Sequence, residues 1–282
     1  MTVLVVGSTG ALGAEVARAL VGRGADVRAM TRGANPAVDG VASVVRADLS
    51  DPGSLVDAFA DVQRVFLVSS PGANQVELET NAIVAAENAG VERIVKVSNL
   101  PIKGLETGLH GNHRAIETRL KDSPVAATVL QPSFFASVLL RQLELIRAGR
   151  IVFPTGDGKI AWIDPRDIAE VAATVLVDAK PPAGPLRLTG PEALTAAELA
   201  ARIGSGIGRE IELVQPDLKK WREGLLQNGM DPWLVDSTVH LYEAVSRGAL
   251  AGLSSDVGRV LRSAPRPIDE WLQDGLLPLL RQ

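Results

Sequence analysis

Residues 1–13 read MTVLVVGSTGALG, an apolar run that stops at Gly7 and is followed by Gly10 and Gly13. The unbroken stretch from Val3 to Val6 has the pattern of a strand buried on both faces of a parallel sheet. Beyond the turn, Leu12, Val16 and Leu20 recur at helical spacing, so the segment reads strand, tight turn, helix. In such a unit the first glycine allows a sharp turn and the second lets the backbone approach a pyrophosphate. The third lets helix and sheet pack closely. The helix N-terminus then offers unpaired N–H groups and a positive dipole end to the phosphates. The spacing is G-x-x-G-x-x-G rather than G-x-G-x-x-G, and its place between strand and helix marks a dinucleotide-binding turn. Gly7, Thr9, Gly10, Ala11, Leu12 and Gly13 are its expected cofactor contacts.

The remainder of the chain fits a soluble α/β protein. Its 282 residues are 46% hydrophobic, enough to bury a sizeable core in one or two domains. No run approaches the roughly 18 apolar residues of a membrane span, and no basic segment precedes the first apolar run as in a signal peptide. Cysteine is absent, which removes disulfides, thiolate catalysis and Cys-ligated metals. A net charge of -4 argues against a nucleic-acid partner. A cytoplasmic location is expected, without membrane or nucleic-acid partners.

Through the first half, short apolar runs such as RVFLVSS and RIVKVSN alternate with helical stretches such as SLVDAFADV, which Asp51 and Pro52 introduce. That alternation predicts a doubly wound parallel Rossmann sheet over residues 1–150. After about residue 150 the rhythm changes, and residues 151–282 read as a smaller α/β substrate lobe, partly interleaved with the first. Thr195 and Glu198 have capping-box spacing there.

The end of the second strand selects the dinucleotide. An NAD site usually carries an acid at this point for the ribose 2′-OH, whereas an NADP site offers a cation to the 2′-phosphate. Here the strand ends Met30-Thr31-Arg32 with no acid, so Arg32 and the Thr31 hydroxyl point to NADP(H). Asp48 and Leu49 in RADLSD, and Ser69, Ser70 and Pro71 in FLVSSPG, follow later strands and are expected to line the cofactor groove. A turn or helix-capping role for Asp48 stands beside that reading.

Together VVGSTGALG, MTR, RADLSD, VKVSN, NHRAIETRLKDSPVAATVLQPSFF and AWIDPRDIAEVAATVL resemble the NmrA-like group of atypical short-chain dehydrogenase/reductases. The resemblance runs over nearly the whole chain. It implies NADP(H) across the Rossmann sheet and substrate held between that sheet and the C-terminal lobe. Pro132 and Phe134 of the TVLQPSFF stretch then join the cofactor contacts. Members of this group include quinone reductases, triphenylmethane reductase and redox-sensing regulators without turnover.

The wider superfamily uses a Tyr-x-x-x-Lys pair, and this chain cannot form it: its one tyrosine is Tyr242, with Ser246 four residues later. By resemblance, Ser98 keeps the family's hydroxyl position, and His113 and Glu117 match a His/Glu pattern of similar quinone reductases. Spacing of i, i+4 puts His113 and Glu117 on one helical face. A carboxylate beside the imidazole would favour an imidazolium that donates a proton; an ordinary helix salt bridge is the competing reading. The sequence departs from the group at Gln131, where an arginine often precedes the proline, and at Ser137 in place of an asparagine. His110 and His113 lack a third ligand, so no metal is expected.

Phe134, Phe135, Trp162, Trp221, Trp233 and Tyr242 suit a small apolar or aromatic substrate, although each also fits core packing. The leading expectation is an NADPH-dependent oxidoreductase passing a hydride to a quinone, enone or similar conjugated acceptor. A non-catalytic NADP(H) redox sensor and a secondary-metabolism tailoring enzyme on the same scaffold are the alternatives. Self-association as a homodimer completes the expected partners.

Overall fold

A computed structural model describes residues 1–33, 39–182 and 184–281. Seven parallel strands form the main sheet: β1 (Thr2–Val5), β2 (Asp26–Thr31), β3 (Ser43–Arg46), β4 (Arg64–Leu67), β5 (Arg93–Val97), β6 (Ala126–Pro132) and β8 (Leu186–Leu188). Their order is β3-β2-β1-β4-β5-β6-β8. The chain winds outward from β1 to β3 and then returns to place β4 on the other side of β1. That reversal opens a crevice at the carboxyl ends of β1 and β4, where ligands of open parallel sheets bind.

Alternation along β1 explains the layers. Val3 and Val5 join one core with Leu12, Val16 and Leu20 of α1 (Ala11–Val21). Leu4 and Val6 join another with Leu55, Phe59 and Ile83. The second core belongs to α2 (Pro52–Phe59), α3 (Gln75–Asn88) and α4 (Gly108–Lys121) on the opposite face. The β-branched run at the N-terminus is apolar throughout because both faces of its strand are covered.

After α5 (Leu143–Arg147), the short strand β7 (Arg150–Val152) starts a second region, pairing in parallel with β9 (Glu212–Val214). Between them the chain revisits the main sheet. α6 (Pro165–Val177) shares the core of α1, and β8 extends the sheet beside β6. Asp164 caps α6 by accepting from the Arg166 N–H at 2.8 Å, and Thr195 with Glu198 forms the capping box of α7 (Ala196–Ile207). A third core, including Phe153, Trp162, Leu199 and Tyr242, fills the second region. Over it lie α8 (Leu218–Gln227) and α9 (Pro232–Ser246). No helix among the described residues is long and apolar enough to cross a membrane.

Candidate active site

The glycine turn has the geometry of a phosphate cradle. Gly7 has φ +79°, and a Cβ there would lie 2.7 Å from the Val68 carbonyl oxygen. A Cβ on Gly13 would lie 2.0 Å from the Gly7 carbonyl oxygen, so no side chain fits between helix and turn. Gly10 is the N-cap of α1 without a side-chain cap, and the first turn holds no acid. Its N–H groups therefore lack the usual side-chain acceptor, while Thr9, Gly10 and Ala11 are exposed. An anionic ligand suits that end of the helix. Leu12 and Gly13 are buried in the packing beneath and shape the turn.

The flanking expectations separate. Arg32 is exposed at the end of β2, while Thr31 is buried there and accepts the Gly33 N–H at 3.2 Å. Residues 34–38 of this loop lie outside the described residues. Asp48 accepts the Ser50 N–H at 2.9 Å and the Ser50 hydroxyl at 2.8 Å, which hold its carboxyl below the usual range. This is the turn role, and it leaves Asp48 half-buried at the groove. Leu49 is buried beneath it. Ser69 donates to Glu79 at 2.8 Å, while Ser70 and Pro71 are exposed beyond β4.

Beside this groove, at the ends of β5 and β6, lies a cavity of about 770 Å³ with mainly apolar walls. Ser98, His110, His113, Pro132 and Phe134 line it, and α8 and α9 cover it with Trp221, Leu225 and Tyr242. The aromatic rings are mutually packed: Trp221 and Tyr242 lie 4.8 Å apart, and Phe134 meets Tyr242 edge-on at 5.8 Å. The side chain of Asn99 and the hydroxyl of Ser133 are buried at this cavity without a hydrogen-bond partner. Unpaired polar groups against an apolar wall are costly, and a ligand's polar atoms would satisfy them.

Lys96 was not among the residues expected from sequence. It stands one residue before the carboxyl end of β5, with its side chain fully buried. The ammonium group is 2.6 Å from Glu79 Oε2, 2.5 Å from the Val97 carbonyl oxygen and 3.3 Å from His113 Nδ1. An ammonium donates and has no lone pair, so Nδ1 must accept. The proton of the neutral imidazole therefore resides on Nε2. Burial pushes the Lys96 pKa down, while Glu79 opposes that shift. Gln75 and Ser69 complete the surroundings of Glu79, donating at 3.1 and 2.8 Å.

His113 departs from expectation. It does not pair with Glu117, and no imidazolium forms near neutral pH. Burial pushes its pKa down to about 2, aided by the Lys96 charge and by the neighbouring His110 and Arg114. Glu117 instead accepts from Ser98 Oγ at 2.5 Å, Gln131 Nε2 at 3.2 Å and Arg114 Nη1 at 3.0 Å. Both residues occupy one face of α4, yet their side chains serve different partners. Ser98 reaches the cavity, but its single proton is committed to Glu117. Gln131, at the position where the resembling group often has an arginine, supplies an amide to the same carboxylate. His110 is also kept neutral, with burial pushing it down to about 4.

The signal for Lys96 was legible in RIVKVSN, since a lysine in a strand covered on both faces demands a buried partner. Nothing local named Glu79 as that partner. Close approach of α4 to α9 depends on Gly108, at φ +57°, where a Cβ would fall 2.4 Å from Ser237 Oγ.

The turn and sheet order together describe a dinucleotide-binding Rossmann fold, and the chain belongs to the NmrA-like family, whose profile matches residues 1–272. It is 33% identical to the NAD(P)H azoreductase of Xenophilus azovorans, over 95% of this chain and 96% of that protein. It is 30% identical to the (4-alkanoyl-5-oxo-2,5-dihydrofuran-3-yl)methyl phosphate reductase of Streptomyces griseus, over 95% and 96% of the two chains. Among solved structures, the Escherichia coli NADPH-dependent quinone oxidoreductase complexed with NADPH superposes with TM-score 0.83. That pair is 26% identical, covering 97% of this chain and 99% of the other. These likenesses support the general class for this chain, an NAD(P)H-dependent oxidoreductase.

Proposed function

We propose that the protein is an NADPH-dependent reductase of quinones, enones or similar conjugated acceptors. The observation that carries this reading is a neutral histidine, held by a buried lysine, in the wall of an aromatic cavity beside the dinucleotide cradle. Bound NADPH supplies a hydride from its nicotinamide ring. Gly7, Gly10 and Gly13 shape the turn that holds the pyrophosphate, with Thr9 and Ala11 at its exposed edge. Arg32 and Thr31 meet the 2′-phosphate, and Asp48, Leu49, Ser69, Ser70, Pro71, Pro132 and Phe134 border the groove.

His113 acts through its Nε2 proton as a neutral hydrogen-bond donor that polarises an acceptor carbonyl. A ring whose pKa is about 2 is not a proton source near neutral pH. Reduction of a quinone by hydride leaves an oxyanion, and the proton that completes the hydroquinone comes from solvent. Such an acceptor tolerates the absence of a strong acid, whereas a simple ketone does not. Ser98 and Glu117 hold the floor of the site together with Gln131. The apolar walls and α8 restrict water around the acceptor.

The test combines two measurements. Tryptophan fluorescence titration should show tighter binding of NADPH than NADH, and NADPH absorbance should fall when 1,4-naphthoquinone is added. His113→Ala should lower turnover by roughly ten- to a hundredfold, the scale of one hydrogen bond to developing charge, and leave NADPH affinity nearly intact. Tight NADPH binding without oxidation of the nucleotide by any quinone would refute the catalytic reading and favour the sensor.

A further inference from the structure

The cavity inverts the charge of the molecule around it. The chain carries a net charge of -4, yet no aspartate or glutamate lines this cavity, whereas Arg141 and Lys220 do. Arg141 comes from the 3₁₀ turn Ala136–Gln142, and Lys220 from the first turn of α8. Both side chains are exposed at the rim. Neither forms an ion pair or side-chain hydrogen bond among the described residues. By contrast Arg222, two residues from Lys220, bonds Asp236 of α9 at 2.8 Å and does not line the cavity. Arg141 is close enough to Tyr242 to oppose the rise that burial imposes on its phenol pKa. The cationic rim thus adjoins the aromatic wall. The same cavity also holds the unpartnered polar groups of Asn99 and Ser133, and His113. The wall therefore combines neutral hydrogen-bonding groups, aromatic surface and positive charge.

Resting on the reductase reading, we propose that the acceptor carries an anionic substituent, held at the cavity rim by Arg141 and Lys220, while its conjugated ring packs against Trp221 and Tyr242. Two unpaired cations beside low-dielectric walls concentrate an anion and orient it. Their partial exposure makes the contribution moderate and sensitive to salt.

The experiment compares 1,4-naphthoquinone-2-sulfonate with 1,4-naphthoquinone, in binding by tryptophan fluorescence and in NADPH oxidation. The double variant Arg141→Met, Lys220→Met should weaken sulfonate binding by roughly three- to tenfold and change binding of the neutral quinone by less than about twofold. Arg141→Lys with Lys220 intact should retain most of the sulfonate preference. The two quinones differ in intrinsic reactivity, but this cancels in the ratio of wild type to variant. Added NaCl should erode the preference in wild type only. Equal losses for both quinones, or no loss for the sulfonate, would overturn the proposal. Charge-selective binding without NADPH oxidation would uphold the anion site and remove the reductase reading. Oxidation of both quinones without charge selection would do the reverse.

Discussion

Replacing Lys96 with methionine tests the buried network at its centre. The substitution leaves the Glu79 carboxylate without its cation, and that side chain is fully buried. Ser69 and Gln75 still donate to Oε1, but neither supplies a charge. Breaking a buried pair by removing one partner costs about 3–5 kcal/mol. At roughly 2–4 °C per kcal/mol for a chain of this size, Lys96→Met should lower Tm by about 6–20 °C. Adding Glu79→Gln removes the stranded charge while its amide oxygen still accepts from Ser69, so the double variant should recover most of that loss. Thermal unfolding followed by circular dichroism reads both effects. NMR of the three histidines adds a site-specific check. Without the Lys96 proton on Nδ1, the tautomer preference of His113 should weaken and its pKa should rise. It should remain below 6.5, because burial is the larger cause of its depression. A double variant as unstable as the single one would refute the charge argument, as would an unchanged His113 tautomer.

Three other consequences follow from the same geometry. The folded pKa values of His113 and His110, about 2 and about 4, lie below the ordinary 6.5, so the unfolded chain binds more protons as pH falls below 6.5. The stability they contribute is complete above that pH and declines by about 1.4 kcal/mol per unit for each histidine, until each folded pKa is reached. Urea midpoints at pH 7 and pH 5 should show this loss, and His113→Gln should reduce it; equal midpoints would contradict the depressed values. Arg32→Ala should weaken NADPH by roughly tenfold or more, the scale of a charged hydrogen bond, while changing NADH little; equal losses in titrations of both would remove Arg32 from the 2′-phosphate. Gly13→Ala should abolish binding of both nucleotides or prevent folding, since its methyl would stand 2.0 Å from the Gly7 carbonyl oxygen; near-normal binding in a fluorescence titration would contradict that packing.

Local patterns in the sequence foretold the parts of the fold that neighbouring residues determine. The GSTGALG turn, the cap of Asp51 on α2 and the Thr195–Glu198 capping box each depend on residues within a few positions. The doubly wound sheet was legible for the same reason, because strand and helix periods alternate along the chain. Pairings between distant elements were not. LRLT after Pro185 reads as a strand, but its place beside β6 depends on a long excursion through the second region. His113 and Glu117 share a face of α4, yet rotamers and neighbours from β5 and β6 assign them to Lys96 and Ser98 respectively. The rim cations were hidden for a simpler reason: Arg141 and Lys220 are ordinary charged residues in sequence, and only the fold brings them to one cavity.

The most direct test is a single-turnover reaction, in which protein loaded with NADPH is mixed anaerobically with 1,4-naphthoquinone and the nicotinamide absorbance is followed. With NADPH deuterated at the transferred position of C4, oxidation should be prompt but slower than with the protium form. His113→Ala should slow the step without weakening NADPH binding. Full occupancy by both ligands with no loss of absorbance would contradict the reductase reading.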